Sequence, residues 1–139
     1  MRVVLDTNVL VSAVLFGGLP RGLLRGALHG EFEVVTSPQL MTELEDVLAG
    51  RFGLAPEVAQ AARTEYELLA LVVRPKSVPR VVRDPDDNEV LAAAVSGKAD
   101  LVVTGDRDLL ALGRYEGRRI LTPRQFQDVL EADNRGSGD

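Results

Sequence analysis

Three short stretches constrain the fold more than anything else in this sequence. RVVLD (2–6), FEVVTS (32–37) and DLVVTGD (100–106) are each apolar and largely β-branched, then end on Asp, Ser, Thr or Gly. A strand with one wet face alternates apolar and polar side chains. A continuous apolar run has both faces covered, as in a parallel sheet between layers of helices. LVVRP (71–75) and RRILTP (118–123) are two further strand candidates. Helical patterns fill the intervals at 7–16, 20–29, 38–49, 56–70, 87–97 and 123–131. Ser37-Pro38 is a helix start, with Ser at the N-cap and Pro in the first turn. Strands alternating with helices give an α/β sandwich around a central, mainly parallel sheet of four to five strands.

The chain has 139 residues, the size of one domain. Residues 1–132 are read as that domain and the polar DNRGSGD (133–139) as a disordered tail. FGGLP (16–20), GRFGLAP (50–56) and RPKSVP (74–79) mark joints within it, each too short for an interdomain linker. Hydrophobic residues at 45% and charged residues at 27% suit a soluble globular protein. No apolar run approaches the roughly 20 residues of a membrane span. The start, MRVVLDTN, lacks the pattern of a signal peptide, and the expected location is cytoplasmic.

There is no cysteine and a single histidine, which excludes disulfides, thiolate metal sites and histidine-rich metal sites. His29 lies in LHGE, a helix end, and reads as a structural cap. Chemistry must then come from carboxylates, hydroxyls, Arg or Lys. The net charge of −5 argues mildly against a nucleic-acid binder, but not against an enzyme that holds carboxylates for metal.

In open parallel sheets, sites form beyond the carboxyl ends of the strands, near the point where strand order reverses. Asp6 ends the first strand and Asp106 follows the LVVTG strand, so both belong to one rim. A lone Asp at a strand end is commonly a helix cap, which explains one such residue more comfortably than two. In PQLMTELEDVLA (38–49), Leu40, Leu44 and Val47 form one stripe. Glu43 falls beside that stripe, while Glu45 and Asp46 project away. The alternative for Glu43 is a flanking residue that reaches water or pairs with an Arg. In DPDDNEVLAAA (84–94), Asp87 shares a face with Val90, Leu91, Ala94 and Val95, whereas Asn88 and Glu89 turn away. Asp84 and Asp86 precede or cap that helix, where negative charge is favoured.

Asp6, Glu43, Asp87 and Asp106 are therefore candidates for one site. Gathered carboxylates raise each other's pKa unless a cation neutralises them. Hard oxygen donors select Mg²⁺ or Mn²⁺, and the matching chemistry is metal-assisted phosphodiester hydrolysis. Asn8 and Thr104 could orient ligands or water. Asp108 is either an outer acid of the site or a helix cap.

VVLDTNVLVSA (3–13), a Glu inside the helix after the second strand, DNEVLAAA (87–94) and LVVTGDRDLL (101–110) together resemble the PIN-domain ribonucleases. Among these, the chain looks like the VapC-like toxins of prokaryotic toxin–antitoxin modules. The resemblance covers roughly residues 2 to 125, nearly the whole chain. It implies a three-layer α/β/α sandwich and Mg²⁺- or Mn²⁺-dependent endoribonuclease activity. It also implies a homodimer and a small cognate antitoxin. The family's four acids map onto Asp6, with Asn8 as companion, Glu43, Asp87 and Asp106. Asp84 and Asp86 belong to a more acidic version of the third segment. The apolar helices near the start (VLVSAVLF and LPRGLLRGAL) could serve either interface or simply the core.

For phosphate contacts the sequence offers Arg21, Arg25, Arg107, Arg114, Arg118 and Arg119, with Arg107 best placed inside GDRD. A scatter of Arg is weak evidence, and with aromatics at only 4% strong base stacking is not expected. Two other readings stay open: a non-catalytic PIN-like interaction module, and an RNA-processing nuclease that is not a toxin. A covalent aspartyl phosphatase is disfavoured because Asn8 stands where a second Asp would be needed.

Overall fold

The computed structural model describes residues 1–137. Six strands form one sheet in the order β3-β2-β1-β4-β6-β5. They are β1 (Arg2–Leu5), β2 (Glu33–Thr36), β3 (Leu71–Val72), β4 (Leu101–Val103), β5 (Arg114–Tyr115) and β6 (Arg118–Leu121). Every neighbouring pair is parallel except β5–β6. Successive side chains of a strand point to opposite faces. Val3 and Val4 are each 0% exposed and Leu5 1%, so both faces of the central strand are covered. The expected helix-covered α/β architecture with a mainly parallel sheet is what the chain adopts.

The helices are α1 (Thr7–Leu15), α2 (Gly18–Leu28), α3 (Pro38–Asp46), α4 (Pro56–Leu69), α5 (Pro85–Ser96), α6 (Arg107–Leu112) and α7 (Pro123–Ser137). Ser37 caps α3 as read from the sequence, its Oγ accepting from the Leu40 amide at 3.3 Å with Pro38 in the first turn. His29 follows α2 as its terminal residue, its amide bonded to the Arg25 carbonyl at 3.0 Å.

Several boundaries differ from expectation. The helix expected over 38–49 leaves α geometry after Asp46 and continues as a π-helical turn, Val47–Arg51. The helix expected at 87 starts at Pro85, because Asp84 caps it and a proline is tolerated in the first turn. Two elements escaped the sequence reading: α6, with six residues, and β5, with two, are too short to carry a periodic signature. β5 adds the sixth strand and the single antiparallel pairing. The polar stretch from 133 continues α7 as far as Ser137; residues 138 and 139 lie outside the described residues.

The topology places the site. The chain builds outward from β1 through β2 to β3, then returns to lay β4 on the other side of β1. Strand order reverses between β1 and β4, and the residues leaving those two strands meet beyond their carboxyl ends. Helix α5 packs across β1, β2 and β4. Its close approach at the far end depends on Gly97, where a Cβ would stand 2.4 Å from Val35 Cγ1. No single helix among the described residues is long and apolar enough to cross a membrane.

Candidate metal centre

Asp6 leaves β1 and sits at the N-cap position of α1, only 5% exposed. Its Oδ2 accepts a 2.6 Å hydrogen bond from Thr104 Oγ1, and the same hydroxyl accepts from the Asp106 amide at 2.9 Å. Thr104, itself fully buried, thus ties the end of β1 to the start of α6. Asp106 caps α6, its Oδ2 accepting from the Leu109 amide at 2.9 Å. Of the two acids in GDRD the cap is therefore Asp106, and Asp108 lies in the first turn, where it joins the cluster instead. Carboxylate oxygens of Asp87, Asp106 and Asp108 all lie within 4.8 Å of one another.

Asp87 enters from the first turn of α5 and is 6% exposed, on the inward face read from the sequence. Its Oδ2 is buried and has no hydrogen-bond partner among the described residues. Asp84 caps α5, accepting from the Asp86 amide at 2.9 Å. Glu43, on α3, accepts from Thr7 Oγ1 at 3.1 Å. Arg63 bonds to Glu45 and Glu67, and among the described residues Glu43 pairs with no cation. Asn8 Oδ1 accepts from the Gly105 amide at 3.4 Å, a second link between the ends of β1 and β4.

The electrostatics join these acids. Burial pushes the Asp87 carboxyl up to about 8, reinforced by Asp106 and then by the charges of Asp6 and Asp84. Burial raises Glu43 to about 7, with Asp86, Asp6 and Asp84 adding to it and the Thr7 hydrogen bond opposing. Asp6 is raised by burial, partly offset by its bond to Thr104. Asp86 is raised by burial and by Asp84. Asp6 and Glu43 feel the charge of the neighbouring carboxylates, but among the described residues the oxygens that come within 4.8 Å of one another are those of Asp87, Asp106 and Asp108. The first turns of α1, α5 and α6 all open onto these acids, and their partial positive charge lessens the repulsion without removing it.

A cation fits this arrangement. The donors are hard carboxylate oxygens, one of them buried without a partner at a cost of about 1–3 kcal/mol, and their pKa values are raised by burial first and by neighbouring carboxylates second. At the border Arg83 reaches Asp108 at 3.7 Å, but Arg83 is 93% exposed, so this pair compensates little.

The PIN domain family's sequence profile matches residues 2–108. The chain belongs to the PIN domain family. An uncharacterised protein of Methanocaldococcus jannaschii (MJ1680) is 28% identical over 150 aligned positions, covering 94% of this chain and 92% of that one. Among solved structures, VapBC2 from Rickettsia felis, bound to a DNA fragment from its promoter, superposes with a TM-score of 0.62. That match has 13% identity and covers 88% of this chain and 98% of the other, a likeness of fold.

The sequence missed Asn88. Read as turning away from the apolar face, it is 6% exposed. Its Oδ1 accepts from the Val81 and Val82 amides at 3.0 and 3.1 Å, and its Nδ2 donates to the Val82 carbonyl at 2.9 Å. Asn88 thus clamps the irregular strap between β3 and α5, next to Asp87. The strap RPKSVPRVVR (74–83) carries Arg74, Lys76, Arg80 and Arg83 and no acid. All four are exposed, and among the described residues the first three make no hydrogen bond or ion pair. Two of the cations read from the sequence are committed elsewhere. Arg21 donates to the Ala13 and Val14 carbonyls, and Arg118 to those of Ala99 and Glu116. Arg107 is exposed at the start of α6, beside Asp106.

Proposed function

We propose that the protein is a metal-dependent endoribonuclease, and the toxin of a toxin–antitoxin pair. The observation that carries the reading is the buried, partnerless Asp87 Oδ2 within a carboxylate cluster at the strand-order reversal of a PIN domain. Asp6, Glu43, Asp87 and Asp106 would hold Mg²⁺ or Mn²⁺, with Asp84, Asp86 and Asp108 adding negative charge around them. A bound divalent ion supplies charge neutralisation, polarisation of the phosphate and a water acidic enough to ionise near neutral pH.

The chain's own residues do the rest. Thr104 holds Asp6 in one orientation through its 2.6 Å hydrogen bond, and Thr7 does the same for Glu43. Asn8 and the Gly105 amide tie the two strand ends together. Burial raises the Glu43 carboxyl to about 7 in the metal-free protein, so binding of the ion and loss of that proton are coupled. Arg107 and the cationic strap supply the positive charge for a phosphodiester backbone that the acidic chain as a whole lacks.

The toxin reading rests on the family and on the likeness to the VapBC2 fold. An apolar groove of about 390 Å³ between α1, α2 and α4, lined by Val14, Leu24, Leu28 and Leu68, suits a small antitoxin chain. Leu68 is 84% exposed and Leu28 67%, an arrangement that favours cover by a partner. Homodimer formation, in the cytoplasm, belongs to the same reading.

The test is cleavage of single-stranded RNA with Mn²⁺ or Mg²⁺ by the unsubstituted protein, Asp6→Asn and Asp87→Asn. The proposal predicts cuts by the first alone, and identical patterns from all three would refute it. Growth arrest on expression, relieved by the neighbouring small reading frame, distinguishes a toxin from an RNA-processing nuclease.

A further inference from the structure

Two joints of the sequence, FGGLP and GRFGLAP, do more than turn the chain. Phe16 ends α1 and Phe52 ends the π-helical turn after α3. Each is followed by a glycine in the left-handed region, Gly17 at φ 73° and Gly53 at φ 71°. Both helices therefore stop at a phenylalanine while the chain swings away, leaving the ring at the helix end. The two rings meet edge to face, centroids 6.3 Å apart and planes 79° apart. The Arg51 guanidinium lies 5.6 Å from the centre of the Phe52 ring.

Their setting separates these rings from ordinary exposed apolar residues. The chain has four phenylalanines. Phe32 and Phe126 pack against each other in the core at 4.9 Å and are 5% and 0% exposed. Phe16 is 73% and Phe52 41% exposed. The outer pair borders a groove of about 190 Å³ whose lining also includes Thr7, Asn8 and Glu43 of the candidate metal centre. One small groove thus joins aromatic rings, a guanidinium and the polar groups that position a catalytic acid.

We infer that this groove is a nucleobase site. It takes one unpaired base of the RNA strand, next to the phosphate presented to the carboxylates, on the Phe16–Phe52 pair. This rests on the nuclease reading and names how its substrate is held. Aromatic rings stack on any base, so the contact selects single strands over duplexes. Arg51 supplies positive charge where the backbone passes. Asn8 and Ser12, also in the groove wall, are donors and acceptors for a base edge.

The test is direct binding of a single-stranded 12-nucleotide RNA carrying 2-aminopurine at successive positions, in EDTA so that no strand is cut. The unsubstituted protein should change the fluorescence at one register of the label. Phe16→Leu/Phe52→Leu, which keeps apolar bulk without the rings, should abolish that change and weaken binding about 5- to 100-fold. Phe16→Tyr/Phe52→Tyr should restore both. Equal binding by the Leu double and the unsubstituted protein overturns the site, as does equal loss in the Leu and Tyr doubles or equal affinity for duplex RNA. Loss of antitoxin binding alone, with RNA binding intact, also overturns it, because the rings would then serve a protein partner. Failure of the nuclease reading looks different: the unsubstituted protein would cut no RNA with Mn²⁺, whatever the fluorescence.

Discussion

The Thr104 hydroxyl donates to Asp6 Oδ2 at 2.6 Å while accepting from the Asp106 amide at 2.9 Å, so one buried side chain sets the spacing of two candidate metal ligands. Thr104→Val keeps the shape and removes both bonds. It should destabilise the fold by about 1–3 kcal/mol and lower metal affinity or cleavage about 10- to 100-fold. Denaturant unfolding and cleavage rates read the two effects, and a variant unchanged in both would show that Asp6 needs no orienting partner.

The pH dependence of stability follows from Asp87 and Glu43. Their folded values, about 8 and about 7, lie above the ordinary 3.8 and 4.5. Between the two values of each group the folded state binds more protons than the unfolded one. Stability should therefore fall as pH rises from about 4 toward 8, with the loss complete above that. The metal-free protein should melt a few degrees higher at pH 5.5 than at pH 8, and Asp87→Asn should flatten part of the slope. Mn²⁺ should raise the melting temperature more at pH 8 than at pH 5.5. A metal-free protein that is more stable at pH 8 would contradict the assigned shifts.

These acids were legible in the sequence because each sits where a simple rule reaches it. Asp6 and Asp106 end apolar strands, and Glu43 and Asp87 lie beside the apolar stripes of helices. Asn88 was not legible: its three bonds go to Val81 and Val82, in a strap with no period, and no helical projection foresees a loop folded back over the helix. Phe16 and Phe52 likewise read as residues at separate joints. Only the packing of α1 on α3 brings them together, a contact that aromatic content does not reveal. The sixth strand escaped because two residues carry no pattern.

The strap itself makes a quantitative prediction. Each phosphate contact to a single strand contributes ~0.7 to the slope of log affinity against log salt. Lys76→Gln/Arg80→Gln should reduce that slope by about 1.4 for an oligouridylate. Lys98→Gln/Arg135→Gln, an equal change in charge elsewhere, should leave it near the unsubstituted value. Matching slopes for the two doubles would remove the strap from the RNA path.

At the far end of α5, Gly97→Ala would set a Cβ 2.4 Å from Val35 Cγ1 and 3.1 Å from the Ala93 carbonyl oxygen. Helix and sheet would have to separate, at about 1–3 kcal/mol. Because α5 carries Asp87, metal affinity should fall as well. A melting temperature equal to that of the unsubstituted protein would mean that the helix end yields freely.

A single divalent-cation site formed by Asp6, Glu43, Asp87 and Asp106 stands or falls on Mn²⁺ binding, followed by calorimetry or by the electron paramagnetic resonance of free Mn²⁺. The unsubstituted protein should bind Mn²⁺ saturably, releasing protons as Asp87 and Glu43 ionise. Asp87→Asn and Asp106→Asn should each bind on the order of tenfold more weakly or worse. Equal Mn²⁺ affinity in the unsubstituted protein and both variants would contradict the site.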